Sequence, residues 1–297
     1  MNLTPDSFSD GGRWFDPADA SRAVERGLAM LDEGAELLDL GAESTRPGGG
    51  VYGAGAREVP AEEELARLLP VLEGLRAATG APLSVDTRKA AVVRVALAAG
   101  ADLVNDVSAL GDPEMGAVVA AAGCSVVLMH SRGELATMQR EIRFRDVVAE
   151  VRSELAEAAA RAEAAGIDHG QIVIDPGLGF GKTAEQNLAL LAELPALTGF
   201  AAPGVGAAPG SPAIEPAGSP ARPGLGLPVV VGASRKSFLA ALSGRPGEPA
   251  PPDRRLPGSL AAAARAAAGG AAVLRVHDVA ETAAFLRAWT AIGEARG

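Results

Sequence analysis

The chain has 297 residues, 48% of them hydrophobic and 22% charged, with a formal net charge of −10 and one cysteine. That length and apolar content suit one large domain, 1–297, better than two small ones, and the acidic balance excludes a broad electrostatic surface for nucleic acid or anionic membrane. A lone Cys124 excludes an internal disulfide and fits a reducing cytoplasm, and no apolar run is long enough to cross a bilayer.

Taken in chain order, Asp16-Pro17 reads as a helix cap followed by a proline at the first helical position, opening a helix to about Glu33. Seven short apolar runs follow: Leu37–Asp39, Leu83–Asp86, Leu103–Asn105, Val126–His130, Ile172–Asp175, Val229–Gly232 and Val273–His277. Between them the 3.6-residue period predicts helices over roughly 61–79, 88–99, 113–122, 144–165, 185–194, 258–269 and 279–294. Residues 199–227, mostly Gly, Ala and Pro, cannot bury enough surface to offset their ordering entropy and read as a disordered surface insertion. Residues 243–257, with five prolines, read as a second, shorter irregular loop.

Buried strands alternating with amphipathic helices predict an α/β fold with a parallel sheet, and this many strands favours a closed barrel over an open sheet. In such a barrel the carboxyl ends of the strands converge on one active-site face, and most of these runs end in a polar residue there. Asp86, Asn105 and Asp175 are costly at that depth without a donor-rich partner, such as the amidine-like edge of a planar heterocycle; the plainer alternative is that each caps a helix. Arg275 and His277 alternate on the last strand, so both point to one side, and with Ser234-Arg235-Lys236-Ser237 they make a cationic wall fit for phosphate oxygens. The glycine run Asp175 to Lys182 lacks the full Walker spacing, and Lys182 reads as an ordinary surface lysine. His169 reads as solvent-exposed, His130 is equivocal, and Cys124 reads as a buried structural thiol.

Two loops complete the face. Residues 2–12, with Phe8 among turn formers, read alone as a mobile tail, and Arg46 in Glu43–Gly50 either grips an anion or points into water. Asp10 and Arg46 carry opposite charge, which allows a closing contact.

The segments NLTPDSFSDGG, AESTRPGG, SVDTRK, LVNDVSAL, LMHSRGELATMQ, IVIDPGLGFGK, VVVGASRKSF, GSLAAA and RVHDV, in this order from residue 2 to about 280, resemble the dihydropteroate synthase family of pterin-binding TIM barrels. The resemblance implies condensation of 6-hydroxymethyl-7,8-dihydropterin diphosphate with 4-aminobenzoate to 7,8-dihydropteroate and diphosphate, with Mg2+ as cofactor, in a homodimer of the cytoplasm. It implies a catalytic set of Asp86, Lys236, Arg275, His277, Asp10 and Arg46. Asp86, Asn105, Asp175 and Lys236 would hold the pterin, with Arg275 stacked on its ring, and Met129, Phe180 and Gly232 would join the substrate site. Asn2, Arg275 and His277 would meet the diphosphate, and Asn2 would ligate the metal. Thr45, Arg46, Pro47, Phe8 and Ser237 would shape the aminobenzoate site.

Relatives carry an apolar strand before the asparagine of the first loop, whereas here Met1 stands directly before Asn2; the first barrel strand is expected to be missing from this chain, at a cost in stability. Ala42 replaces a glycine common in the family, and the wording around Met129 and His130 departs modestly. Two other readings stay open. One is the pterin-binding barrel of corrinoid-dependent methyl transfer, against which SRKSF and the two loops argue. The other is a noncatalytic paralogue.

Overall fold

Each apolar run forms a short parallel strand because both its faces are covered, one by helices and the other by strands across the sheet's interior. The computed structural model describes residues 1–4, 19–44, 58–133, 138, 142–200, 224–245 and 247–295. In it β1 (Leu38–Gly41), β2 (Leu83–Asp86), β3 (Leu103–Asp106), β4 (Ser125–Met129) and β5 (Ile172–Asp175) pair in chain order, while β6 (Val230–Val231) and β7 (Val273–Leu274) form a further parallel pair. An Ile174–Val229 bridge joins β5 to the β6 side, and Ile174 N–H donates to Pro228 O at 2.9 Å.

On the opposite edge, Asn2 bridges Gly41: Leu3 N–H donates to Gly41 O at 2.7 Å and Gly41 N–H to Met1 O at 3.0 Å. Among the described residues the two parallel sheets, linked by the Ile174–Val229 bridge, follow the chain order of a (β/α)8 barrel, and where its first strand would stand the described residues hold only the Asn2–Gly41 bridge. The carboxyl end of β1 is therefore paired on both sides.

The helices are α1 (Ser21–Asp32), α2 (Ala61–Ala78), α3 (Ala90–Ala98), α4 (Met115–Ala122), α5 (Val147–Ala164), α6 (Ala184–Ala192), α7 (Pro195–Thr198), α8 (Ala240–Ser243), α9 (Leu256–Ala268) and α10 (Val279–Glu294). Helix α1 starts later than the Asp16-Pro17 cap implied; those two residues lie outside the description, and Asp19 Oδ1 accepts from Ser21 N–H at 2.9 Å. The first strand also runs past Asp39 to Gly41, because Leu40 continues the buried alternation.

Strand residues alternate between two environments. Leu38, Leu40, Leu83 and Val85 pack with Leu68, Val71, Leu72 and Leu75 of α2, and Val104, Val126, Leu128, Ile172, Ile174 and Val231 form the second helix-facing cluster. Burial of each such side chain contributes about 2 kcal/mol. Asp39, Asp86, Asn105, Met129 and Asp175 are left to the sheet's other face, one layer along from their apolar neighbours.

Of the expected 199–227 insertion, residues 201–223 lie outside the described residues. Its far edge is built into the fold: Leu225 N–H donates to Leu197 O at 2.9 Å and Leu227 is buried. The 243–257 loop contains a 3-10 turn at Pro252–Arg254 before α9 begins. Cys124 is half-buried against the core rather than fully buried, and burial pushes its thiol up, away from nucleophilic use.

Candidate active site

Register brings the polar strand residues together. Asp86 stands opposite Gly41 on β1 and Asn105 on β3, and Asp39 lies two residues deeper on β1. Arg275, directly after β7, crosses to this group: its Nε donates to Asp39 Oδ2 at 2.5 Å and its Nη2 to Asp86 Oδ2 at 2.7 Å. Asn105 Nδ2 donates to the same Asp39 oxygen at 3.3 Å. One guanidinium thus faces two carboxylates whose side chains are only 11% and 9% exposed.

Two like charges sharing one cation do not ionise equally. Burial acts to raise both carboxyls and is the largest single influence on each; at Asp39 the Arg275 guanidinium, the amino terminus and Ser84 together overcome it and hold the group below the usual carboxylate range. At Asp86 burial prevails over Arg275, the charge of Asp39 adds to it, and the pKa is pushed up to about 7. Burial also opposes the charge on Arg275, but Asp39 and Asp86 keep it protonated. Asp86 Oδ1 and Asp39 Oδ1 are buried and have no hydrogen-bond partner among the described residues, the acceptors an incoming N–H edge would satisfy. Asp39 was not among the site residues expected from sequence. It closes an apolar run like the others, but a pairing with an arginine 236 residues away leaves no local signal.

The second half of the site is the glycine turn after β5. Asp175 Oδ1 accepts from Gly177 N–H at 2.7 Å, and burial raises its pKa against the pull of Lys236. Gly177 has φ +64, and a Cβ there would lie 1.8 Å from His130 O, so only glycine fits both the backbone and the contact. Lys236 donates to Leu178 O and holds its ammonium 4.7 Å from the Phe180 ring centroid. Burial pushes Lys236 down to about 8, with Asp175 opposing. Met129 is buried in register with Asp175, and Gly232 lies beside Arg275.

Lys182 is not a surface lysine. It is 4% exposed, and burial pushes it down to about 7 against the pull of Asp175. A lone lysine following glycines carries no mark of the carbonyls that will enclose it. His130 is likewise buried, between Lys182 and Glu154, whereas His169 is exposed beside Glu163 as expected.

Arg235, with φ +57, pairs its guanidinium with Asp278, Nε to Oδ2 at 3.0 Å, and its N–H donates to Ser259 Oγ at 3.0 Å. This ties the turn carrying Lys236 and Ser237 to the end of β7. His277 rests on Ser234 Oγ, 3.1 Å from Nδ1. Burial, then repulsion from Arg275, pushes it down to about 3, so it is a neutral hydrogen-bonding group and the positive charge of this wall resides on the arginines and Lys236. Asn2 sits beside the carboxyl end of β1. The expected site residues Phe8, Asp10, Thr45, Arg46 and Pro47 lie outside the described residues.

The depressed His277 has a stability consequence. The unfolded chain takes up the imidazole proton near 6.5, the folded chain only near 3, so this contribution is present above pH 6.5 and is lost as pH falls toward 3. His277→Gln should remove that slope: between pH 6.5 and 5 the variant should lose less stability than the wild type, by on the order of 1 kcal/mol in urea titrations. Equal losses would place the imidazole in a solvated environment.

Comparison with known proteins agrees with this geometry. The family model described as "Pterin binding enzyme" matches residues 1–277. The dihydropteroate synthase of Mycobacterium leprae is 45% identical over 282 residues, covering 94% of this chain and 87% of the relative. The solved structure of Xanthomonas albilineans dihydropteroate synthase with 4-aminobenzoic acid superposes with a TM-score of 0.79 at 44% identity, covering 98% of this chain and 90% of that one. The same enzyme in complex with 7,8-dihydropteroate gives a TM-score of 0.75 at 42% identity, covering 98% and 91%. The matched span takes in both halves of the site, from Asn2 to His277, and the chain therefore belongs to the pterin binding enzyme family, among the dihydropteroate synthases.

Proposed function

We propose that this protein joins 6-hydroxymethyl-7,8-dihydropterin diphosphate to 4-aminobenzoate, releasing diphosphate and forming 7,8-dihydropteroate. The observation that carries the reading is the buried acceptor set: Asp86 Oδ1, without a hydrogen-bond partner among the described residues, with Asp39, Asn105, Lys236 and Arg275 around it and Asp175 at the start of the glycine turn. A fused heterocycle with an amino-pyrimidine edge supplies the N–H donors these acceptors lack and gives Lys236 an acceptor in return. The relatives' names favour this over corrinoid-dependent methyl transfer or a noncatalytic barrel.

The transfer breaks the bond between the pterin methylene carbon and the diphosphate oxygen and makes a carbon–nitrogen bond to the arylamine, which gives up one proton. Asp175 and Asn105 orient the pterin. Arg275, held by Asp39 and Asp86, is placed to stack on the ring and to offset negative charge gathering on the departing diphosphate, and His277 donates or accepts a hydrogen bond without carrying charge itself. Ser237 and Phe180 flank Lys236, where the aminobenzoate would enter, with Met129 and Gly232 lining the pocket.

Mg2+ is proposed on the resemblance: Asn2, bridged to Gly41 beside the carboxyl end of β1, would give the ion an amide oxygen, and the rest of its shell would come from water and the diphosphate. When bound, the ion would neutralise charge on the diphosphate. A homodimer in the cytoplasm is proposed on the resemblance; no described helix is long and apolar enough to cross a membrane.

Loop roles for Asp10 and Arg46, with Phe8, Thr45 and Pro47, are proposed as closure around the cationic pterin after diphosphate begins to leave. Arg46→Ala should then lower turnover and 4-aminobenzoate affinity, each by about tenfold or more, while pterin diphosphate binding stays near wild type. Equal loss of both affinities in calorimetric titration would mean that Arg46 grips the pterin substrate itself.

A further inference from the structure

The glycine turn after β5 is held by two ammonium groups, and Lys182 has no part in the substrate contacts described above. Its Nζ has three N–H bonds to give. They are met by Gly177 O at 2.9 Å, Phe180 O at 3.0 Å and His130 Nδ1 at 2.9 Å, with His130 O at 3.4 Å as a longer neighbour. An ammonium this deeply buried persists only where such acceptors replace its hydration. Two of them are carbonyls of the turn itself, so Lys182 closes the turn as a bound cation would.

His130 is fixed in its turn. Because Nδ1 accepts from Lys182, the ring hydrogen lies on Nε2 and is donated to Glu154 of α5 at 3.0 Å, and Arg132 Nε donates to the same carboxylate at 3.0 Å. Burial, then the charge of Lys182, pushes His130 down to about 4, which keeps Nδ1 available as an acceptor. A chain of contacts thus runs from the half-exposed Glu154 through His130 to Lys182.

From Lys182 two links reach the site. Gly177, whose carbonyl Lys182 holds, donates its N–H to Asp175 Oδ1 at 2.7 Å and is packed on His130 O without room for a methyl group. Phe180, whose carbonyl Lys182 also holds, presents its ring to the ammonium of Lys236. We propose that Lys182 is a positioning residue: by gripping Gly177 O, Phe180 O and His130 Nδ1 it sets the turn that aims the Asp175 carboxylate and the Phe180 ring into the substrate site. The proposal rests on the synthase reading for its activity readout, and the turn itself can be followed without substrate.

Lys182→Met keeps the apolar stem and removes the donors, leaving the carbonyls unpaired. Amide hydrogen exchange, read by mass spectrometry on the substrate-free protein, should rise at least about tenfold over residues 176–181 while peptides from β1 to β4 are unchanged. Steady-state kinetics should show kcat/KM falling by about a hundredfold, most of it in kcat, as expected for misaimed contacts. His130→Asn, whose side-chain oxygen takes the place of Nδ1, should stay within about threefold of wild type, whereas His130→Leu should follow Lys182→Met. The His130 pair decides the matter if Lys182→Met does not fold. Unchanged exchange at 176–181, exchange rising throughout the barrel, or equal impairment of the two His130 variants would overturn the proposal. A wild-type protein that makes no dihydropteroate would instead overturn the synthase reading, and the substrate-free exchange separates the two failures.

Discussion

Asp175→Asn should bind pterin diphosphate too weakly to saturate in a calorimetric titration that saturates the wild type. The carboxylate has one oxygen engaged by Gly177 N–H at 2.7 Å, and the amide can keep that bond with its own carbonyl oxygen, so the glycine turn is preserved. Its other arm then presents an NH2 group where the carboxylate presented an acceptor. Donor faces donor in a buried cleft, a loss of about 3 kcal/mol, or roughly a hundredfold in Kd. The thermal midpoint should barely move, because burial already disfavours the ionised form of Asp175. Near-unchanged affinity in this folded variant would remove Asp175 from the pterin site.

Arg275→Met should be the most damaging single change at the site, in stability and activity together. The guanidinium is 38% exposed, but the carboxylates it holds are 11% and 9% exposed, and without it Asp39 and Asp86 face each other without their shared ion-pair partner, Lys236 and the amino terminus acting on them only through space. Removing one partner of such a group costs about 3 kcal/mol, at the lower end for buried pairs because the arginine keeps some water. Product formation should fall below detection, since the residue that links the carboxylates is also the one placed to meet the diphosphate. Double substitution with Asp39→Asn should restore part of the lost stability and none of the activity. An Arg275→Met protein as stable as wild type would mean that the two carboxylates are neutralised by another group.

The strand order and most helix limits were legible because each apolar run is short, bounded and followed by a helix-period segment; α10 was expected over 279–294 and is found at Val279–Glu294. Helix α1 opens at Ser21, later than the Asp16-Pro17 signal implies; those two residues lie outside the described residues, and Asp19, a weaker local signal, is the residue that bonds Ser21 N–H. Asp86, Asn105 and Asp175 could be placed on one face because strand period and strand-end position are local properties. Asp39 and Lys182 could not. Asp39 matters through an arginine that arrives at the other end of the chain, and Lys182 through carbonyls that converge only when the left-handed glycines fold the turn. Arg275 and His277 were read together as a cationic pair, yet burial leaves His277 neutral, because composition near a site does not reveal how much water remains there.

Incubation of the purified protein with 6-hydroxymethyl-7,8-dihydropterin diphosphate, 4-aminobenzoate and Mg2+, followed by chromatography for both products, is the most direct test. 7,8-Dihydropteroate and diphosphate should appear in equal amounts, and neither should form when 4-aminobenzoate is withheld. Binding of both substrates without product, or transfer of a methyl group from a methylated folate to a corrinoid in its place, would contradict assignment of the Asp39, Asp86 and Arg275 cluster to a synthase.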